Sequence, residues 1–299
     1  MSDAFPALWV DHVSIAVRDI APALALLRRH LPIRMNAEPQ AGYDDQFRWT
    51  DFFIGDWKLE LIESARAGSF VETFLARRGE GFHHLSIDVA EGALDPYVST
   101  LQRHGLHLVE RSDYPDGSAT TFISPRTAPG ILVQYWQVPG FRGGRMAGVP
   151  ADPVAERDGV RFRVDHVALA VQSIDATLAW FRRAFPVTTA SGPVVGWDGT
   201  HRLQTFRLAG FKMELLEPVG SGGPIARALA ARGEGFHHLT IDVDRLDPVL
   251  ERFQDDGVRV VGRTELRGGQ RTAFLHPHDV HGVLLQLWEQ PEFGGPRRD

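Results

Sequence analysis

The chain has no cysteine. That excludes disulfides, thiolate zinc sites and cysteine nucleophiles. It also lacks long apolar runs, and none approaches the roughly 18 residues needed to cross a bilayer. The start, Met1-Ser2-Asp3-Ala4-Phe5-Pro6, has no basic segment followed by an apolar one. No secretory signal is therefore expected, and the default expectation is a cytoplasmic protein. Basic tracts are missing as well. Lys and Arg number 32 against 38 Asp and Glu, for a net charge of −6. A nucleic-acid surface needs clustered Lys and Arg to displace counterions, so neither nucleic acid nor membrane is an expected partner.

What is present is ordinary in bulk and unusual in pattern. With 299 residues, 43% hydrophobic and 23% charged, the length predicts about two domains, each able to bury its own core. The run Arg78-Gly79-Glu80-Gly81-Phe82-His83-His84-Leu85 returns unchanged as Arg232-Gly233-Glu234-Gly235-Phe236-His237-His238-Leu239. Asp11-His12-Val13 returns at the same offset as Asp165-His166-Val167, and Glu60 returns as Glu214. The chain therefore reads as a tandem duplication. The first unit covers residues 1–138 and the second 161–299. Between them, the Gly- and Pro-dense stretch 139–160 reads as a linker.

Each unit divides again. Val13 to Val17 alternates like a strand with one buried face. Ala21 to His30 follows as a helix with Leu24, Leu27 and Leu31 on one side, then strands over Gln46 to Ile54 and Trp57 to Ile62. The order restarts with a strand at Leu85 to Val89. Asp95-Pro96 predicts a helix start and Gly105 its end, as do Asp247-Pro248 and Gly257. Strands near Leu108, Thr120 to Ile123 and Ile131 to Trp136 complete the unit. The predicted fold class is α+β, built from four βαβββ modules.

Strand alternation then sorts the histidines. His12 shares a face with Ser14 and Ala16, and His84 with Ser86 and Asp88. His166 goes with Ala168 and Ala170, and His238 with Thr240 and Asp242. In each strand the opposite face is large and aliphatic. The small residues beside each histidine leave room for an ion and a ligand. Glu60, Glu214, Gln134 and Gln286 sit on further strands, each flanked by opposing aliphatic residues. Each unit thus offers two His, one Glu and one Gln. That set suits a borderline divalent ion: zinc, cobalt, manganese, nickel or iron. The alternative is a duplicated fold whose histidines satisfy hydrogen bonds in the core. Aligning His84-Leu85 and His238-Leu239 with His12-Val13 selects the second histidine of each pair, so His83 and His237 point away from the metal face and read as structural residues or as support behind the ligands. Tyr43, Phe47, Trp49, Trp57, Trp136 and Trp288 are candidate pocket walls or core. Arg126 and Arg271 are candidates for an anionic substrate or for surface ion pairs. His276, His278 and His281 read as surface residues on a turn.

These motifs resemble the vicinal oxygen chelate superfamily, which includes glyoxalase I, methylmalonyl-CoA epimerase and the extradiol dioxygenases. The segments that carry the resemblance are Val164 to Val171, Met213-Glu214-Leu215-Leu216-Glu217-Pro218, Gly233 to Leu239, Ala273 to Pro277 and His281 to Leu287. Methylmalonyl-CoA epimerase is the nearest likeness. The resemblance implies two tandem domains, each a curved mixed sheet around a metal cavity. It implies metal ligands at His12, Glu60, His84 and Gln134 in the first unit and at His166, Glu214, His238 and Gln286 in the second. The family usually carries Glu where Gln134 and Gln286 stand, and the epimerase carries Gln where Glu60 and Glu214 stand. The epimerase's catalytic glutamate falls near Trp49 to Asp51 and Leu203 to Thr205, where Asp51 is the only acid.

The chemistry implied is chelation of a small substrate through adjacent oxygens, with the ion stabilising an enolate while a base moves the α-proton. Glu60 and Glu214 are the candidate catalytic bases. The leading expectation is a metal-dependent epimerase or isomerase. A ferrous dioxygenase is the second reading and a metal-free, ligand-sequestering protein the third. A homodimer is a candidate assembly.

Overall fold

The computed structural model describes residues 5–266, 269–290 and 293. The first half runs β1 (Leu8–Ala16), α1 (Ile20–His30), β2 (Arg34–Ala41), β3 (Phe47–Ile54), β4 (Trp57–Ser64) and α2 (Phe70–Arg78). It continues with β5 (Gly81–Val89), α3 (Leu94–Arg103), β6 (Leu108–Asp113), β7 (Ala119–Ile123) and β8 (Leu132–Gln137). Its eight strands form one sheet in the order β2-β3-β4-β1-β5-β8-β7-β6. β1 runs parallel to β4 and antiparallel to β5, and β5 runs parallel to β8.

The second half repeats this. β9 (Ala155–Arg157) and β10 (Val160–Ala170) lead into α4 (Ile174–Ala184), β11 (Val187–Thr188), β12 (Val194–Val195), β13 (His201–Leu208), β14 (Phe211–Pro218) and α5 (Pro224–Arg232). Then come β15 (Gly235–Val243), α6 (Asp247–Asp255), β16 (Val260–Glu265), β17 (Arg271–Leu275) and β18 (Leu285–Glu289). The sheet order is β11-β13-β14-β10-β15-β18-β17-β16, with β12 on β13 and β9 on β10. Each half therefore closes its own curved mixed sheet, and no inner strand is exchanged. The stretch read as linker is partly structured, since β9 lies within it and pairs with β10.

The predicted faces explain the packing. Val13, Ile15, Leu85 and Ile87 are fully or nearly fully buried in one core with Ile20, Ala23 and Leu24 of α1 and Leu94 and Leu101 of α3. Asp19 caps α1 by accepting from Ala21 N at 2.9 Å. The helices start before the Asp-Pro rule expects, by two residues at α3 and one at α6. Ala93 and Leu246 are the cap positions, and neither makes a side-chain cap bond. Asp247 instead lies in the first turn of α6 and pairs with Arg263 and Arg271.

Two helices escaped the sequence reading. α2 lies over the end of the first sheet's other face, where Val71 and Leu75 cluster with Ala16 and Ile62. α5 does the same with Ile225 against Ala168, Ala170 and Leu216. The halves also share a core. Trp57 stacks on Phe211 at 4.6 Å, so it belongs to the junction and not to a pocket wall. His30 stacks on Phe253 at 4.2 Å, and Trp180 Nε1 donates to Thr127 O at 2.6 Å. Gly282 and Gly130 allow a close approach at this junction. A Cβ on Gly282 would stand 1.8 Å from Glu80 O, and one on Gly130 1.8 Å from Glu234 O.

Candidate metal centres

Four adjacent strands bring the predicted residues together. In the first half, Ser14 of β1 is opposite Glu60 of β4 and His84 of β5. Ser86 of β5 is opposite His12 of β1 and Gln134 of β8. The second half places Ala168 opposite Glu214 and His238, and Thr240 opposite His166 and Gln286. Small side chains at the crossing points keep the space between the larger ones open.

The result is two matched triads, His12–Glu60–His84 and His166–Glu214–His238. Within each triad the ligand atoms lie within 4.8 Å of one another. His12 Nε2 is 3.5 Å from Glu60 Oε2 and 3.3 Å from His84 Nε2, and His84 Nε2 is 3.8 Å from the same oxygen. In the second triad Glu214 Oε2 lies 3.4 Å from His166 Nε2 and 3.8 Å from His238 Nε2.

Two β-bulges per half set the residues beside these histidines, and alternation alone does not give the directions of those neighbours. The β1–β5 pairing skips Asp11 between Val10 and His12, and the β10–β15 pairing skips Asp165 between Val164 and His166. The extra residue turns its carboxylate onto the neighbouring imidazole. Asp11 Oδ2 is 2.7 Å from His12 Nδ1, and Asp165 Oδ2 is 2.7 Å from His166 Nδ1. Lys58 and Lys212 hold those carboxylates in turn, at 2.6 and 2.9 Å. The second bulge falls on the repeated histidine pair. His83 and His237 are the skipped residues. They are turned back toward their neighbours instead of away: His83 Nδ1 is 2.9 Å from His84 Nδ1, and His237 Nδ1 is 2.8 Å from His238 Nδ1. In every ligand-type histidine Nδ1 is thus engaged by a neighbour and Nε2 faces the glutamate.

Electrostatics follow from burial and pairing. Burial opposes a charge on His12, but Glu60 and Asp11 outweigh it and push its pKa up to about 10. His166 is pushed up to about 9 in the same way by Glu214 and Asp165. Burial raises Glu60, yet His12 and His84 bring it down to about 2. Burial pushes His83 and His237 down to about 4.

The donor set fits a divalent ion. Glu60 Oε2 and His238 Nε2 are buried without a hydrogen-bond partner, a costly state that an ion between them would relieve. Two imidazoles and a carboxylate on three strands, with the far imidazole nitrogen fixed by Asp11 or Asp165, give a ligand set and the support that orients it. The glutamines stand beside the triads. Gln134 on β8 and Gln286 on β18 lie on the strands next to those that carry His84 and His238. Gln286 Oε1 also accepts from Thr240 Oγ1 at 2.7 Å, so that oxygen is already engaged.

The halves differ around these centres. Asp51 lies opposite Glu60, is 5% exposed, and accepts from Asn36 Nδ2 at 3.1 and 3.0 Å. Burial raises its pKa. Thr205 takes its place in the second half, opposite Glu214. There the same strand face carries His201, buried and 3.0 Å from Asp198. His201 was not foreseen. Tyr43, Tyr114 and Trp136 stack over the first half, with Tyr43 and Tyr114 at 4.2 Å. Arg271 is tied to Asp247 and Glu289 at 2.7 and 2.5 Å, so it is a structural ion pair. His278 is a surface residue, as expected, whereas His281 reaches Glu80 of the other half at 3.2 Å.

Comparison with known proteins agrees with this architecture. A 33% identical relative over 129 residues is an ethylmalonyl-CoA/methylmalonyl-CoA epimerase of Cereibacter sphaeroides, matching 42% of this chain and 96% of that protein. The mitochondrial methylmalonyl-CoA epimerase of Bos taurus is 31% identical over 42% of this chain and 73% of its own length. Among solved structures, a mutant 4-hydroxymandelate synthase from Streptomyces coelicolor superposes with a TM-score of 0.64 over 99% of this chain and 95% of that one. At 16% identity it shares the fold. The model of the glyoxalase/bleomycin resistance protein/dioxygenase superfamily matches residues 11–123 and 165–274, once in each half. The chain therefore belongs to that superfamily, as a tandem pair of its domains.

Proposed function

We propose that the chain binds two divalent ions, one at each triad, and moves a proton α to a carbonyl of a small oxygen-chelating substrate. The observation that carries this is the pair of buried His–Glu–His triads with orphaned Glu60 Oε2 and His238 Nε2. His12, Glu60 and His84 would hold one ion, and His166, Glu214 and His238 the other. Gln134 and Gln286 are the adjacent candidates for a fourth position. A divalent ion held there would supply Lewis-acid polarisation of a carbonyl oxygen.

The chain's own groups do the rest. Asp11 and Asp165 hold His12 and His166 with Nε2 toward the triad. Glu60 and Glu214 lie between two imidazoles, a position that suits ligation better than proton transfer. Proton transfer falls instead to Asp51 in the first half and His201 in the second, each on the strand face that carries the triad. The epimerase relatives support a branched malonyl thioester as the first substrate to try.

The test is α-proton exchange in deuterated water with metal-loaded protein, first with methylmalonyl-CoA, then with α-keto acids. Exchange that falls in Asp51→Asn and His201→Asn supports the reading. No exchange with any of these substrates rejects it. A second reading rests on the same donor set, because two His and one carboxylate also make the ferrous oxygenase triad. Bound iron with substrate-dependent oxygen consumption would favour it.

A further inference from the structure

A separate cavity of about 190 Å³ lies between the halves. At roughly 30 Å³ per water molecule, it has room for about six. Its wall is made in pairs from the repeated run: Arg78 with Arg232, Glu80 with Glu234, and His83 with His237. No residue of either triad lines it.

The hydrogen-bonding capacity left unused in that wall defines a ligand. Three of the four glutamate oxygens are engaged. Glu80 Oε1 accepts from Arg18 N at 2.8 Å, and its Oε2 is 3.2 Å from His281 Nδ1. Glu234 Oε1 accepts from Gln172 N at 2.7 Å. Among the described residues, the Arg78 and Arg232 guanidiniums have no ion-pair or hydrogen-bond partner. The histidines add donors if the triads bind metal, and this part rests on the proposed function. A His84 Nε2 that faces a metal must be unprotonated, so its Nδ1 carries the proton and donates to His83 Nδ1. The remaining proton of His83 then sits on Nε2, which has no other partner among the described residues. His237 and His238 follow the same logic. Apart from Glu234 Oε2, the unspent groups are donors and positive charges, and each half contributes an arginine and a histidine to them.

We propose that this cavity binds one small tetrahedral oxyanion of the phosphate or sulfate class, shared between Arg78 and Arg232. Two guanidiniums and two imidazole N–H groups match an anion with several equivalent oxygens. The site stands behind both metal centres, joined to them by the His83–His84 and His237–His238 contacts.

Calorimetric titration of the metal-loaded full chain with sulfate, a weak ligand for metals, tests this. One ion per chain is expected. Arg78→Met and Arg232→Met should each weaken binding about tenfold or more, as loss of a charged hydrogen bond does. Metal content, measured on the same samples, should not change. Absence of saturable binding, or binding that ignores both substitutions, overturns the proposal. So does binding of two ions per chain that disappears with the metal. Sulfate binding that needs both arginines in protein unable to hold metal would uphold this site while the metal reading fails.

Discussion

Asp11→Asn probes how much of each centre is built by the residues behind it. Asp11 Oδ2 serves two partners, His12 Nδ1 at 2.7 Å and Lys58 Nζ at 2.6 Å. Asparagine keeps the shape but loses the charge, and its single acceptor oxygen cannot serve both equally well. Lys58 retains Asp51 at 3.8 Å. His12 retains no other partner on Nδ1, so its ring loses both orientation and basicity. Removal of such a carboxylate behind a metal-bound histidine weakens metal binding about 10- to 100-fold, or about 1.4–2.7 kcal/mol. The effect should be local to one half. A chelator-competition titration resolves two binding steps in the parent protein. Asp11→Asn should weaken one step by that factor and leave the other alone, and Asp165→Asn should do the reverse. Two unchanged steps, or equal weakening of both steps in each variant, would refute the reasoning.

The two buried aspartates at matched positions should behave differently. Asp242 pairs with Arg163 at 2.9 Å, both almost fully buried, so Asp242→Asn leaves a buried charge poorly compensated and should cost about 3–5 kcal/mol in denaturant melts. Burial and the neighbouring Asp11 push Asp88 up to about 8, so it already carries a proton at neutral pH, and Asp88→Asn should cost only a small fraction of that. Stability should also depend on pH in two windows. His83 and His237, held near 4 by burial, take up protons more readily when unfolded, near 6.5, so stability should fall as pH drops from 6.5 toward 4. His12 and His166 act in the opposite sense when no metal is bound. Their raised pKa values add stability that is complete below 6.5 and lost as pH rises through 9 to 10. Thermal melts of metal-free protein should show that alkaline loss, and metal-loaded protein should not. Gly282→Ala places a Cβ against Glu80 O with φ at +76°, so it should destabilise the chain by more than the roughly 1–2 kcal/mol of a left-handed backbone alone, read from denaturant melts.

Much of the site was legible because duplication repeats a pattern and strand alternation assigns faces. His12, Glu60, His84 and their partners in the second half lie where those two rules put them. The bulges were not legible. A skipped residue changes the face on which its side chain emerges, so His83 and His237 turn back to their neighbours, and Asp11 and Asp165 reach theirs. The repeated Asp-His pairs were a signal for the second effect, but periodicity gave them no role. α2 and α5 were missed because each is only nine residues long, too short for a clear helical period, and few of their residues are buried: only Val71 and Leu75 in α2, and only Ile225 in α5. His201 was missed because repeat matching looks for equal residues in both halves, and Phe47 occupies the matching place in the first. Trp57 was open between pocket wall and core, because an aromatic on a strand gives no sign that a second domain will cover it.

The most direct test of two metal centres is the metal content of the purified full chain, compared with His84→Ala and His238→Ala. The parent should bind two divalent ions per chain and each variant one, with the remaining ion as tightly held as before. Retention of two ions in both variants, or binding of none by the parent across the divalent metals from manganese to zinc, would contradict the account.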